Sequence, residues 1–293
     1  MGHPHLSRLA LRRRLIGLLG LGALALGGFM SPAAARPLDE VKSTGFLRVA
    51  VYRSLPPFSS VDEKGQPQGI DIDLGQALAK SLGVSVSYFL IRDGDEIADD
   101  LRNGVWRGTV VGEQPGDVMM HVPYDKRLEE TNDLVRLVAP YHVDRLALAV
   151  DPAKEAEAAD FGAFEKAYVG VDVGTLADMV LVSTRDKALV NNVRHFRGSK
   201  RAFEAYEKGE LSGVYGPSSE IEPLVKTSKR PASLLYPKAK LARDWTIGLA
   251  VRINARDLGY ALGDEIDRLR DSGELARIFA RHGVTLKTPV REE

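Results

Sequence analysis

The sequence predicts an α/β protein built as two lobes, and three observations carry that prediction. Short apolar, β-branched runs alternate with amphipathic helical stretches, an order that implies parallel strands joined by crossover helices. One module recurs along the chain: strand, Gly/Pro turn, helix, glycine stop, strand. The chain has 293 residues and no cysteine, so its fold rests on buried apolar cores alone, without disulfides or thiolate metal sites.

Each element has a local reason. "FLRVAVY", Phe46 to Tyr52, reads as the first strand, and Pro56-Pro57 forbids its continuation. In "GIDIDLGQALAKSLG", Asp71 can cap a helix with Leu74, Leu78 and Leu82 on one face, and Gly83 ends it. "VSVSYFLI" is a second strand, "DEIADDLRNG" a second helix stopped by Gly104, and "DVMM" a third strand. "RLALAV", Arg145 to Val150, then leads into an acid-rich stretch. In "YVGVDVGTLADMVLV" a strand meets the Gly174-Thr175 turn and a helix. "VRHFRGSKRAFEAYEKGELSGVYGPSSEI" gives a short strand, a helix, Gly209 and another strand; "WTIGLAVRINAR" is strand-like, and residues 258–284 close the chain as amphipathic helix.

The N-terminus has a different character. Met1 to Arg14 carry four arginines and no acid, Leu15 to Gly28 are apolar or glycine, and Ala33 and Ala35 form an A-x-A end. This reads as a secretory signal peptide over residues 1–35. Its apolar run is shorter than the roughly 20 residues of a membrane-spanning helix, and no cysteine follows it to carry a lipid. The mature chain is expected in the periplasm, not inserted in the membrane. Loss of Arg8, Arg12, Arg13 and Arg14 leaves 36 basic against 40 acidic residues, a net of −4. That balance argues against nucleic acid or an anionic membrane as partner.

Catalytic signatures are missing. No GxSxG, HExxH or glycine-rich phosphate loop occurs, so no catalytic residue and no cofactor is expected. His121, His142, Asp125 and Asp144 match no compact ligand spacing, so no metal is expected either. Glu113 and Asp125 are the acids an enzyme on this scaffold would have to use.

The ordered segments "LRVAVYRSLPPFS", "GIDIDLGQALAKSLG", "GDVMM", "VGVDVGT" and "DSGELARIF" resemble the family 3 extracellular solute-binding proteins, the periplasmic receptors of polar amino-acid importers. The resemblance implies a two-lobed periplasmic binding protein fold of type II, with a double-crossover hinge. Lobe 1 would be residues 37–143 plus 246–293 and lobe 2 residues 149–243, with hinge strands near 142–149 and 244–250.

The resemblance also implies a ligand or partner cleft. Phe58 of "PPFS" would lie near it. "GDVMMHVPYDKR" aligns so that Arg127 takes the place of the family's carboxylate clamp, a role suited to its planar fork of donors. Gly174 and Thr175 match the turn that faces the same carboxylate from the second lobe. Three departures stand out: Pro217 of "VYGPSSE" replaces the acid that takes the ligand's ammonium group; Val122, Pro123 and Tyr124 replace the supporting threonines; and "VWRGTVVGEQP" inserts Trp106 and a loop before the third strand.

"NGVWRG" and "HVPYDKRLEETNDLVRLVAPYH" resemble more narrowly the solute-binding-like proteins encoded beside quinoprotein methanol and alcohol dehydrogenases. That branch implies a non-enzymatic accessory or maturation partner of a PQQ-dependent dehydrogenase or its cytochrome c. On that reading Trp106, Tyr124 and Arg127 share one end of the first-lobe sheet as a contact surface. The alternative is the receptor of an ABC importer, with a permease as partner and a small carboxylate or modified amino acid as ligand.

Overall fold

The computed structural model describes residues 36–290; the predicted signal segment, residues 1–35, lies outside the described residues. Helix α1 (Leu38–Thr44) precedes strand β1 (Phe46–Tyr52), and a small hairpin, β2 (Ser60–Val61) and β3 (Pro67–Gln68), follows. Then come α2 (Ile70–Ser81), β4 (Ser85–Ile91), α3 (Ile97–Leu101), β5 (Val118–Pro123), α4 (Lys126–Glu130) and β6 (Val135–Asp144). The middle of the chain supplies β7 (Leu146–Val150), α5 (Glu155–Ala158), β8 (Val169–Asp172), α6 (Leu176–Ser183), β9 (Val193–Phe196), α7 (Ser199–Glu207), β10 (Gly213–Pro217), α8 (Ser218–Thr227) and β11 (Ser233–Leu235). The chain closes with β12 (Trp245–Arg252), α9 (Arg256–Asp271) and α10 (Glu274–Arg281).

These strands form two five-stranded sheets, ordered β4-β1-β5-β12-β6 and β11-β7-β10-β8-β9. Strand β1 runs parallel to β4 and β5, and β8 parallel to β9 and β10. Both sheets are mixed, because β12 is antiparallel to β5 and β6, and β7 is antiparallel to β10 and β11. The chain leaves the first sheet at Arg145 and returns over residues 236–244.

The period-two pleat divides each strand between two apolar layers. From β1, Leu47, Val49 and Val51 enter one cluster while Ala50 and Tyr52 enter another. From β7, Leu146, Leu148 and Val150 face one side and Ala147 and Ala149 the other. Sheets covered on both faces explain why these strands read as continuous apolar runs.

Two local expectations are corrected. Asp71 is not the cap of α2; Gly69 is, at φ +130°, and a Cβ there would lie 2.2 Å from the Phe58 carbonyl oxygen. The amides of Ile70 and Asp71 instead donate to the carbonyls of Pro57 and Phe58, at 3.0 and 2.9 Å, pinning the diproline turn to the helix start. Nor does Gly104 stop the second helix. After α3 the chain continues as a π-helical turn, Arg102–Trp106, with Gly104 buried inside it. A Cβ at Gly104 would come 2.7 Å from the Met119 sulfur, so this glycine serves close packing on β5.

Candidate functional site

In open α/β sheets, ligands bind at the carboxyl ends of parallel strands. Strands β1 and β5 are paired neighbours, with Val49 beside Val118, so the segments after Tyr52 and Pro123 leave the first sheet at one end. The segments after Asp172 and Pro217 leave the parallel strands β8 and β10 at the corresponding end of the second sheet. Sequence and topology therefore bring Tyr124 and Arg127 to one sheet end, and Gly174, Thr175 and Pro217 to the other.

Arg127 sits on α4. Asp125 caps that helix, its Oδ1 accepting the Leu128 amide at 3.0 Å. The acids next to Arg127 are engaged elsewhere: Glu129 accepts from Arg136 at 2.7 Å and from the Leu137 amide at 2.9 Å, and Glu130 lies 3.7 Å from Lys126. The guanidinium of Arg127 is exposed and forms no ion pair among the described residues. Tyr124 beside it is 43% exposed.

Thr175 caps α6. Its hydroxyl accepts the Asp178 amide at 3.3 Å and donates to the Asp172 carbonyl at 2.8 Å. Gly174, at φ +76°, donates its amide to the Asp178 carboxylate at 2.9 Å, and His195 holds the other oxygen of that carboxylate at 2.9 Å.

Two further predicted residues are built into the packing of the first sheet. Phe58 is a core residue, 3% exposed, with ring centroids 4.1 Å from His121 and 6.2 Å from Phe279. Trp106 is on the π-helical turn that leads back to the start of β5, half-buried against the cluster of Tyr52, Ile91 and Met119. The acids weighed for catalysis are both engaged locally, Asp125 in its cap and Glu113 in a turn with Thr109. Among the described residues no group of three or more His, Cys, Asp or Glu could hold a metal ion.

Two buried polar groupings near the strand ends were not anticipated. Asp144, the last residue of β6, accepts the hydroxyls of Ser218 and Ser219 at 2.7 and 2.5 Å, joining the first sheet to the start of α8. Glu220, one position further, accepts the Ser199 hydroxyl at 2.6 Å. Burial pushes Glu220 up to about 7, with Asp172 and Asp144 adding repulsion. The signal in the sequence was "PSSE" itself, two serines and an acid directly after Pro217. On the first sheet, Asp71 is fully buried and accepts the Tyr141 hydroxyl at 2.8 Å. Its Oδ2 lies 3.8 Å from His121 Nδ1. Burial pushes Asp71 up to about 7 and His121 down to about 3.

Residues 47–110 match the family of bacterial extracellular solute-binding proteins, family 3. Over 283 residues the chain is 25% identical to a probable histidine-binding protein of Neisseria gonorrhoeae, covering 93% of this chain and 96% of the relative. A stretch of 74 residues is 36% identical to the cyclohexadienyl dehydratase of Pseudomonas aeruginosa, 25% of this chain and 27% of that one. Among solved structures, an ancestral cationic amino-acid solute-binding protein superposes with a TM-score of 0.68 at 23% identity, covering 84% of this chain and 99% of that one. Among the described residues no helix is long and apolar enough to cross a membrane. The chain therefore combines a segment that matches the family 3 solute-binding proteins with a two-lobed α/β fold like that of the amino-acid-binding proteins.

Proposed function

We propose that this protein is the exported, non-enzymatic receptor of an ABC importer, and that its ligand is a small carboxylate or modified amino acid. The lobes would be residues 37–143 plus 246–293 and residues 149–243, hinged near 142–149 and 244–250. The observation that carries this reading is the exposed guanidinium of Arg127 at the carboxyl end of β5, without an ion pair among the described residues, on a fold shared with amino-acid-binding proteins. A free guanidinium fork suits a carboxylate through two parallel hydrogen bonds.

Ordinary α-amino acids are expected to bind weakly. Pro217 brings no charge to the place where an ammonium group needs one, and an unpaired buried charge costs several kcal/mol. The test is a thermal-shift and calorimetric screen of small carboxylates and amino-acid derivatives on the mature protein, repeated with Arg127→Ala. A ligand at 100 times its Kd raises stability by about 2.7 kcal/mol. Binding that survives Arg127→Ala unchanged defeats this reading.

A second reading, a partner of a quinoprotein dehydrogenase or its cytochrome c, takes its support from Tyr124 and Arg127, both exposed on the segment after β5. Tyrosine and arginine are the residue types that anchor protein interfaces. Capture of such a dehydrogenase from periplasm, lost in Tyr124→Ala and Arg127→Ala, would favour it over the receptor.

A further inference from the structure

After α10 the chain runs from Gly283 to Lys287 without regular secondary structure, and its contacts alternate. Val284 is buried in the first-sheet core, and Leu286 packs against the same cluster. Thr285, between them, turns the opposite way. Its amide donates to Glu222 Oε2 at 2.9 Å, and its hydroxyl donates to Oε1 of the same carboxylate. Glu222 belongs to α8, which packs on β7 and β10 of the second sheet. Lys226, one turn further along α8, pairs with Glu222 at 2.9 Å and donates to the Gly283 carbonyl at 2.8 Å.

Lys287 completes the pattern at the two places where the chain changes sheet. Its amide meets His142 Nδ1 at 3.3 Å, and its carbonyl accepts the Val143 amide at 2.8 Å, on β6 just before Arg145. Its ammonium lies 4.8 Å from the ring centre of Tyr236, which opens the return segment. The Arg145 guanidinium stacks on that same ring at 3.5 Å. Five residues thus touch the first-sheet core, the second-sheet helix α8 and both covalent crossings.

We propose that residues 283–287 form a strap that fixes the arrangement of the two lobes. Two covalent crossings leave hinge bending open, because a few backbone dihedrals absorb the rotation. A third attachment, gripping α8 on one side and the core under β6 on the other, must be released before the lobes can move apart. The Thr285–Glu222–Lys226 group is the part that must break. It is charge-assisted, and its carboxylate is only 12% exposed. This inference rests on the fold and not on the identity of any ligand.

The absence of native cysteines makes the test direct. Nitroxide labels are placed at Lys64→Cys and Lys200→Cys, exposed positions on the two lobes, and their separation is measured by pulsed electron paramagnetic resonance. The parent should give one narrow distance distribution. Thr285→Val and Lys226→Met, which change exposed side chains, should each broaden it, and Glu222→Ala should add a distinct second population. Circular dichroism confirms folding, and if Glu222→Ala fails to fold, the other two variants decide. Superimposable distributions in all folded variants overturn the proposal, even where melting temperature falls, since the contacts would then only add stability.

Discussion

Tyr141 donates its phenolic hydroxyl to Asp71 at 2.8 Å, and both side chains are completely buried. Tyr141 comes from β6, at the edge of the first sheet, and Asp71 from the first turn of α2. The bond therefore ties an edge strand to the helix that crosses from β1 to β4. Among the described residues no other side chain hydrogen-bonds to Asp71, and His121 stands 3.8 Å away.

Removing the hydroxyl leaves a buried acceptor without its donor, which costs about 1–3 kcal/mol. Tyr141→Phe is expected to lose that much in chemical denaturation. Asp71→Asn keeps an acceptor for Tyr141 and should lose less. Equal losses would mean that the carboxyl is held by something other than this bond.

The pH dependence of Asp71 has a definite sign. Burial raises it from 3.8 to about 7, so the folded protein keeps a proton there that the unfolded chain releases at lower pH. The group's contribution to stability is complete below about 3.8 and is lost as pH rises towards about 7, at up to about 1.4 kcal/mol per pH unit. Asn cannot titrate, so the stability of the wild type minus that of Asp71→Asn should fall across this window and level off above it. His142 runs the other way. Burial lowers it from 6.5 to about 4, with Asp144 partly offsetting, so its contribution is complete above 6.5 and is lost as pH falls towards 4. A His142→Gln comparison should therefore slope oppositely. Flat differences in denaturation midpoints across these windows would exclude both assignments.

Pro217 ends β10 and stands at the N-cap of α8. Aspartate is a favoured residue at an N-cap, so Pro217→Asp should fold and place a carboxylate where the second lobe now has none. Calorimetry should show α-amino acids binding at least about tenfold more tightly than to the parent, a gain of about 1.4 kcal/mol. No gain for any of them would mean that position 217 does not face the ligand.

Much of the fold was legible because two periodicities dominate it. The spacing of Leu74, Leu78 and Leu82 marked α2, and the apolar runs at Phe46–Tyr52 and Leu146–Val150 marked strands buried on both faces. The parallel crossover order was read correctly, but the antiparallel pairing of β12 with β5 and β6 was not. Nothing local records which partner a late strand finds. Gly104 misled because a glycine needed for close packing reads the same as one needed to end a helix. The position of Arg127 on the segment after β5 was legible from the sequence order. The buried role of Phe58 was not, because burial depends on His121, His142 and Phe279, which are distant in sequence. The links from Asp144 to Ser218 and Ser219 were hidden for the same reason.

The strand order of the first sheet carries a consequence for biosynthesis. The second sheet draws on one continuous stretch, residues 146–235, and can assemble once that stretch has emerged. The first sheet cannot, because β12, residues 245–252, lies between β5 and β6. Until those last residues are delivered, β5 and β6 each lack their shared neighbour, and open strand edges invite pairing with other chains. Whatever chaperones escort the emerging polypeptide must therefore shield the N-terminal half longest, although it is made first. A chain halted before Trp245 would present a completed second sheet beside a first sheet still split in two.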